Sequence, residues 1–261
     1  MWIDTHCHLD AVEFSADRDD VAAAARQAGV DTIIVPSVEV GNFAAVRDCC
    51  IRYPGCLPAY GIHPMYTPQA DTADLLVLRE WLRRERPVAI GEIGLDHYVA
   101  GLDPARQAVF FVEQLKLARE FDLPVLLHVR RAIDPILKEL RRYRVRGGIA
   151  HAFNGSRQQA DVFIGLGFKL GFGGAMTWPR ATRLRALAAH LPRDSIVLET
   201  DAPDIPPEFA PRTPPEGRSR NEPALLPRIA GTLSQLWDMP LAEVAKITSQ
   251  NAAIILGNIT E

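Results

Sequence analysis

Two histidines separated by one residue, His6 and His8, stand near the start of the chain in the run Asp4-Thr5-His6-Cys7-His8. In an extended segment successive side chains point to opposite faces, so both imidazoles project one way and Cys7 the other. Two imidazoles on one side of a strand end supply half of a divalent-metal site, although an isolated pair equally suits a plain surface. The remaining chemistry-bearing residues decide between these. His63, Glu92, His128, His151 and Asp201 each close a short apolar run, and five of the seven histidines fall at such run ends. His6, His8, His128 and His151 with Glu92 and Asp201 are too many donors for one tetrahedral ion. They suit two ions about 3.5–4 Å apart that share a carboxylate and a water. Glu92 lies between the two sets in chain order and is the expected bridge. His6, His8 and Asp201 then complete one site, and His128 and His151 the other. Such a pair of ions lowers the pKa of bound water and polarises a phosphoryl or carbonyl oxygen. Asp201 is placed to take a proton from that water.

These residues need elements that bring them to one place. Short β-branched runs occur at 1–6, 31–36, 57–62, 88–92, 125–128, 148–151, 168–172 and 196–201, and amphipathic stretches lie between them, as at 104–121 and 132–143. Two further helices are expected at 223–237 and 241–256. Strands alternating with helices imply parallel βαβ units, and eight of them imply a closed (β/α)8 TIM barrel, a single domain over 1–261. The rival is an open doubly wound sheet, but no glycine-rich phosphate loop follows the first strand. In a closed barrel the first and eighth strands are neighbours, and residues at the C-terminal strand ends share one face. The segment 202–221, with six prolines, leaves the eighth strand on that same face. A long loop there reads as a substrate rim.

Composition narrows the class. The length fits one α/β barrel, and a net charge of −3 provides no global field for a polyanion. Cys7, Cys49, Cys50 and Cys56 contain no CxxC pair, so neither a disulfide framework nor a zinc knuckle is expected. A reduced, cytoplasmic setting follows. Neither a secretory leader nor an apolar run of membrane-spanning length is expected, and nothing indicates an obligate protein partner.

Six signatures then appear in order: Asp4-Thr-His-Cys-His-Leu, Tyr60-Gly-Ile-His-Pro64, Gly91-Glu-Ile-Gly-Leu-Asp96, Leu127-His-Val-Arg130, His151-Ala-Phe-Asn-Gly155 and Leu198-Glu-Thr-Asp-Ala-Pro203. With Arg220-Asn-Glu-Pro223, they resemble the successive motifs of the TatD family of metal-dependent hydrolases, nearly end to end. The resemblance implies a TIM barrel of the amidohydrolase type and a divalent-metal deoxyribonuclease or phosphodiesterase-like hydrolase. It also implies the ligands His6, His8, Glu92, His128, His151 and Asp201. His97 departs from the pattern, which has an aromatic residue after Gly-Leu-Asp; a packing change is expected there.

The other polar residues divide by position. His63 is expected to bind a substrate phosphate or hydroxyl, and Asp96 and Glu199 to orient ligand histidines. His190 suits a helix C-terminus, and Cys7 is expected to pack behind the site. The basic run Arg141, Arg142, Arg144 and Arg146 precedes the sixth strand, and Arg83, Arg84 and Arg86 precede the fourth. Both groups therefore belong to the opposite face. Arg130, Arg131, Arg157, Arg180, Arg212, Arg218 and Arg220 follow strands, where guanidinium forks match phosphate. Arg130 and Arg220 are the expected substrate contacts, and Trp178 is placed either to stack a base or to pack as a buried aromatic of the rim. The reading is a phosphodiester hydrolase with two divalent ions (Zn, Mn or Mg), acting on DNA ends or small nucleotides. Its alternatives are hydrolysis of a carboxylic ester or amide (an aminoacyl ester on RNA, a cyclic amide) and a non-catalytic metal or nucleic-acid binding module.

Overall fold

Each β-branched run pairs with the next one along the chain, because the amphipathic stretch between them returns the chain to the same edge of the sheet. In the computed structural model, which describes residues 1–213 and 218–257, the strands are β1 (Trp2–Asp4), β2 (Val30–Pro36), β3 (Cys56–Tyr60), β4 (Ala89–Asp96), β5 (Val125–Arg130), β6 (Gly148–Ala150), β7 (Phe168–Phe172) and β8 (Ile196–Leu198). All eight are parallel and ordered as in the sequence. The helices are α1 (Arg18–Gln27), α2 (Phe43–Arg52), α3 (Thr72–Glu85), α4 (Pro104–Glu120), α5 (Ile133–Arg142), α6 (Arg157–Gly165), α7 (Thr182–His190), α8 (Leu226–Trp237) and α9 (Leu241–Leu256). The last strand closes on the first. Thr5 N donates to Leu198 O (3.1 Å), Asp201 N to His6 O (2.8 Å) and His8 N to Ala202 O (2.8 Å). The fold is therefore the expected (β/α)8 barrel rather than an open sheet.

Strand lengths differ from the sequence reading where the site lies. β4 continues to Asp96 and β5 to Arg130. Every residue of β4 is buried, and Ile93–Asp96 pair with Leu127–Arg130. Glu92 thus sits inside β4, at a register shift between Ile90 and Ile93. An irregularity of this kind re-aims a side chain. Gly94 makes the close pairing possible: at φ +150°, a Cβ there would meet the His128 carbonyl oxygen at 2.0 Å. β1 and β8 end early, so His6, His8 and Asp201 lie just past them.

Inside the barrel, Ile3, Ile34, Ala59, Ala89, Leu126, Ile149 and Val197, from seven different strands, form one contiguous apolar cluster with Ala252, Ile255 and Leu256 of α9. Only the barrel interior brings side chains of so many strands together. A larger apolar layer joins the strands to the surrounding helices, and Cys7 is buried in it as expected. No helix among the described residues is long and apolar enough to cross a membrane.

The β1–β8 seam is polar. Buried Asp4 accepts hydrogen bonds from Thr200 Oγ1 (2.6 Å), Thr200 N (2.9 Å) and His6 N (3.2 Å). Asn221 then fastens the proline-rich segment over the seam. Its Nδ2 donates to Thr200 O (2.6 Å) and Asp204 O (2.9 Å), and Pro203 O accepts from its N–H (3.0 Å). Residues 214–217 of that segment and the side chains of Arg212 and Arg218 lie outside the described residues. Replacing Asp4 with Ala strands three buried donors at about 1 kcal/mol each. We expect Asp4→Ala to destabilise the protein by about 3 kcal/mol, read as a fall in melting temperature of roughly 6–12 °C.

Candidate metal centre

The C-terminal strand ends bring five imidazoles around one carboxylate. Glu92, 2% exposed, divides its two oxygens between them. Oε2 lies 3.2 Å from His6 Nε2 and 3.6 Å from His8 Nε2. Oε1 lies 3.0 Å from His128 Nδ1, 3.4 Å from His151 Nε2 and 3.6 Å from His63 Nε2. Asp201 Oδ1 completes the first side, 3.6 Å from His6 Nε2 and 3.9 Å from His8 Nε2. His6, His8 and Asp201 form one tight donor group; His6, Glu92 and His151 form a second, and His63, Glu92 and His128 a third. Asp201 adopts φ +60°, a left-handed conformation that aspartate tolerates better than most residues.

The sequence reading made His63 a substrate contact. In the structure it is as near to Glu92 as His8 is, and its Nδ1 accepts the Met65 N–H (3.2 Å), which leaves Nε2 facing the carboxylate. His63 thus joins the donor set geometrically, on the His128 side.

Burial and mutual charge perturb every member. Burial pushes His6 down to about 3, and the charge of His151 adds to that. Burial also opposes charge on His8 and His151, but the nearby carboxylates outweigh it and raise them to about 9 and about 10. Burial raises Asp201 to about 6 against the pull of His151 and His8. Glu92 is held well below the usual carboxylate range: burial opposes its ionisation, but His6, His63, His151 and His128 overcome it. The donor set fits a cation. The Nε2 atoms of His6 and His8 face each other at 3.3 Å while both face carboxylate oxygens. A proton on one of these nitrogens can serve only one of the facing acceptors at a time, whereas a divalent ion satisfies all of them together.

A surrounding layer holds these rings. Asp96 Oδ2 lies 3.0 Å from His128 Nε2, which leaves His128 Nδ1 towards Glu92. Glu199 Oε1 lies 3.3 Å from His151 Nδ1 and accepts the Ala152 N–H at 2.5 Å. Gly171 makes room for Glu199, since a Cβ there would meet Glu199 Oε2 at 2.1 Å. Asp96 and Glu199 therefore touch the histidines they were expected to orient.

Three supporting residues escaped the sequence reading. Gln107 and Gln114, both on α4, act as substitute strand neighbours. Gln107 Oε1 accepts from Asp96 N (2.8 Å) and its Nε2 donates to Asp96 O (3.0 Å). Gln114 does the same for Ile62, at 2.7 and 3.0 Å, next to His63. Their signal was two glutamines seven residues apart on a helix face otherwise made of Phe110, Phe111, Leu115 and Ala118. Asp10, pushed up by burial against the pull of His8, accepts from Asn42 Nδ2 (3.0 Å).

The basic residues separate as the topology requires. Arg141 and Arg142 end α5, and Arg146 Nη1 donates to Asp122 O, at the end of the barrel where chains enter strands. Arg130 ends β5 beside the site, with Nη1 3.8 Å from Asp96 Oδ2. Arg220 is placed differently. Its guanidinium is committed to Asp17 (3.0 and 2.6 Å), Glu222 (2.8 Å) and the Glu13 carbonyl (3.0 Å), and so ties the segment after β8 to α1. The phosphate contact expected of Arg220 would require breaking that clamp. Trp178 Nε1 donates to Pro206 O (3.3 Å), and His97 is exposed at the rim.

A parallel eight-stranded barrel that gathers histidines and carboxylates at its C-terminal mouth is the architecture of a metal-dependent hydrolase. The family described as TatD related DNase matches residues 3–257, and the chain belongs to it. It is 42% identical over 255 residues to an uncharacterized metal-dependent hydrolase, YjjV, of Escherichia coli (strain K12), covering 96% of this chain and 95% of the relative. It is 34% identical over 258 residues to a protein of Cronobacter turicensis named 3'-5' ssDNA/RNA exonuclease TatD, with 96% and 95% covered. The crystal structure of the TatD homologue YjjV from E. coli K12 superposes with a TM-score of 0.90 at 40% identity, covering 97% of each chain.

Cation binding must displace the protons that the carboxylates place on His8 and His151. Below their raised values of about 9 and 10 these rings hold protons in the metal-free protein. Affinity for Zn²⁺ or Mn²⁺ should therefore rise steadily from about pH 6 to about pH 9, with protons released in a weakly buffered titration. An affinity independent of pH, with no proton release, would exclude these two imidazoles as ligands.

Proposed function

We propose that this protein is a binuclear metal-dependent phosphodiesterase that removes nucleotides from an end of single-stranded nucleic acid. The observation that carries the reading is the division of Glu92: one oxygen faces His6 and His8, the other faces His128, His151 and His63. A single carboxylate shared between two imidazole sets is the arrangement of a bridging ligand. The proposed ligands are His6, His8 and Asp201 on one side and His128 and His151 on the other, with Glu92 common to both. Two divalent ions held there, Zn²⁺, Mn²⁺ or Mg²⁺, would bring water into its ionised range near neutrality and polarise a phosphoryl oxygen.

The chain's own groups supply the rest. Asp201, whose Oδ1 lies beside His6 and His8, accepts the proton of the attacking water. Asp96 and Glu199 hold His128 and His151 in one tautomer each. Arg130, half-exposed beside Asp96, meets a non-bridging phosphate oxygen. His63 faces the same space and is proposed to touch the substrate or to share the second site. The nucleic-acid substrate is supported by the relatives named as exonucleases.

Three preparations test this on a 3'-labelled single-stranded oligonucleotide, a p-nitrophenyl phosphodiester and a carboxylic ester. The metal-loaded protein should shorten the oligonucleotide, and chelation should stop it. Glu92→Gln should lower kcat on the order of 100-fold or more while the melting temperature changes little. Hydrolysis of the carboxylic ester alone would replace the phosphodiesterase reading.

The barrel's two ends give a second expectation. Changing Arg141, Arg142, Arg144 and Arg146 to Gln should leave hydrolysis nearly intact, whereas Arg130→Gln should raise KM and flatten its salt dependence. Kinetics across a salt series decide this; loss in the first variant with none in the second would place the substrate on the wrong end of the barrel.

A further inference from the structure

Tyr98, just past β4, is 50% exposed at the mouth of the barrel. Two consecutive guanidinium groups lie against it. Arg130 Cζ is 4.0 Å from the ring centroid and Arg131 Cζ is 4.6 Å. The arrangement is built from both sides. Asp96 Oδ1 accepts the N–H of Tyr98 (2.8 Å) and of Val99 (3.0 Å), which fixes the loop that carries the ring. The His97 N–H donates to Arg130 O (2.9 Å), which fixes that loop to the end of β5. Arg131 adopts φ +54°, a conformation unusual for arginine, directly after that strand.

These arginines differ from those seated on carboxylates: Arg52 on Asp19, Arg79 on Glu120, Arg157 on Asp161, Arg220 on Asp17. Arg180 and Arg228 also lie over rings, of Trp178 and Phe209, but singly. Arg130 has only a 3.8 Å approach to Asp96, and among the described residues Arg131 faces the Tyr98 ring without an ion pair. Two cations held over an exposed aromatic ring, one with only a 3.8 Å approach to a carboxylate and the other without an ion pair among the described residues, present forks to an anion beside a flat surface for a base. The same Asp96 carboxylate reaches the metal centre, since its Oδ2 meets His128 Nε2 at 3.0 Å, and His128 Nδ1 meets Glu92 at 3.0 Å. The ring and the bridging carboxylate are therefore linked through two side chains.

We propose that Tyr98, Arg130 and Arg131 form a subsite for the nucleotide adjacent to the scissile linkage: Tyr98 takes the base, Arg130 keeps its contact with the scissile phosphate, and Arg131 takes the flanking phosphate. The inference rests on the phosphodiesterase reading above and names the residues that would recognise the unpaired end. A half-exposed ring meets the face of an unpaired base, and a base inside a duplex does not offer that face. The subsite thus selects single strands independently of base identity.

The test compares the metal-loaded wild type with Tyr98→Phe, Tyr98→Ala and Arg131→Gln. Two labelled oligonucleotides are used, identical except that one is abasic at the nucleotide next to the cleaved linkage. Anisotropy of the labelled strands reports binding beside the kinetics. Tyr98→Ala should lower kcat/KM and binding of the complete strand about tenfold. It should leave the abasic strand unchanged, so that the wild-type preference for the complete end disappears. Tyr98→Phe should retain the preference, and Arg131→Gln should reduce the salt dependence of both strands. Equal losses on both strands, or no loss in Tyr98→Ala and Arg131→Gln, would overturn the subsite while leaving the phosphodiesterase reading standing. A wild type that cleaves neither strand yet cleaves a carboxylic ester would overturn that reading, and the subsite with it.

Discussion

A carboxylate buried among imidazoles is the constraint around which this barrel is arranged. Glu92 has five histidine rings within 3.6 Å of its oxygens and almost no access to water. Burying an ionised carboxylate is costly unless opposite charge or donors surround it. Four strand ends, those of β1, β3, β5 and β6, must therefore deliver the five rings to the same point, and the closed barrel is the geometry that does this. In an open sheet β1 and β8 would lie at opposite edges, and His6 would never meet Asp201.

The support for that centre is layered. Asp4 with Thr200, and Asn221 above them, hold the seam where β1 and β8 meet, so His6 and Asp201 are set by one hydrogen-bond network. Asp96 and Glu199 grip the far nitrogens of His128 and His151, and Gln107 grips the backbone of Asp96 in turn. The rings of His128 and His151 are each held by a group that is itself held. A site preorganised in this way does not reorganise when charge develops during reaction. Glycine at 171 and 94 belongs to the same design, because side chains there would collide with Glu199 and with the His128 backbone.

Electrostatics are local here rather than global. With a net charge of −3 the chain has no overall attraction for polyanions. Six helix arginines are paired with carboxylates. The loosely compensated pair, Arg130 and Arg131, is at the barrel mouth and stacked on an aromatic ring. Charge placed there acts on a substrate end at the metal centre, whereas the denser run ending α5 faces away from it.

Sequence alone determined the barrel and which residues its mouth would gather, because both depend on local pattern. Alternation of strands and helices dictates parallel pairing, and residues that end strands of a closed barrel must converge, so His6, His8, Glu92, His128, His151 and Asp201 were legible without coordinates. Tertiary structure decided what depends on side chains distant in the chain. The sequence could not tell that Glu92 lies within β4 rather than at its end, since the extension to Asp96 depends on pairing with β5. It left His63 outside the donor set because ring orientation, fixed by the Met65 N–H, does not follow from spacing. It left Arg220 free for substrate because its partner Asp17 lies 203 residues away along the chain. Gln107 and Gln114 passed as ordinary helix residues for the same reason: their partners are backbone groups of strands that only the folded barrel brings beside α4.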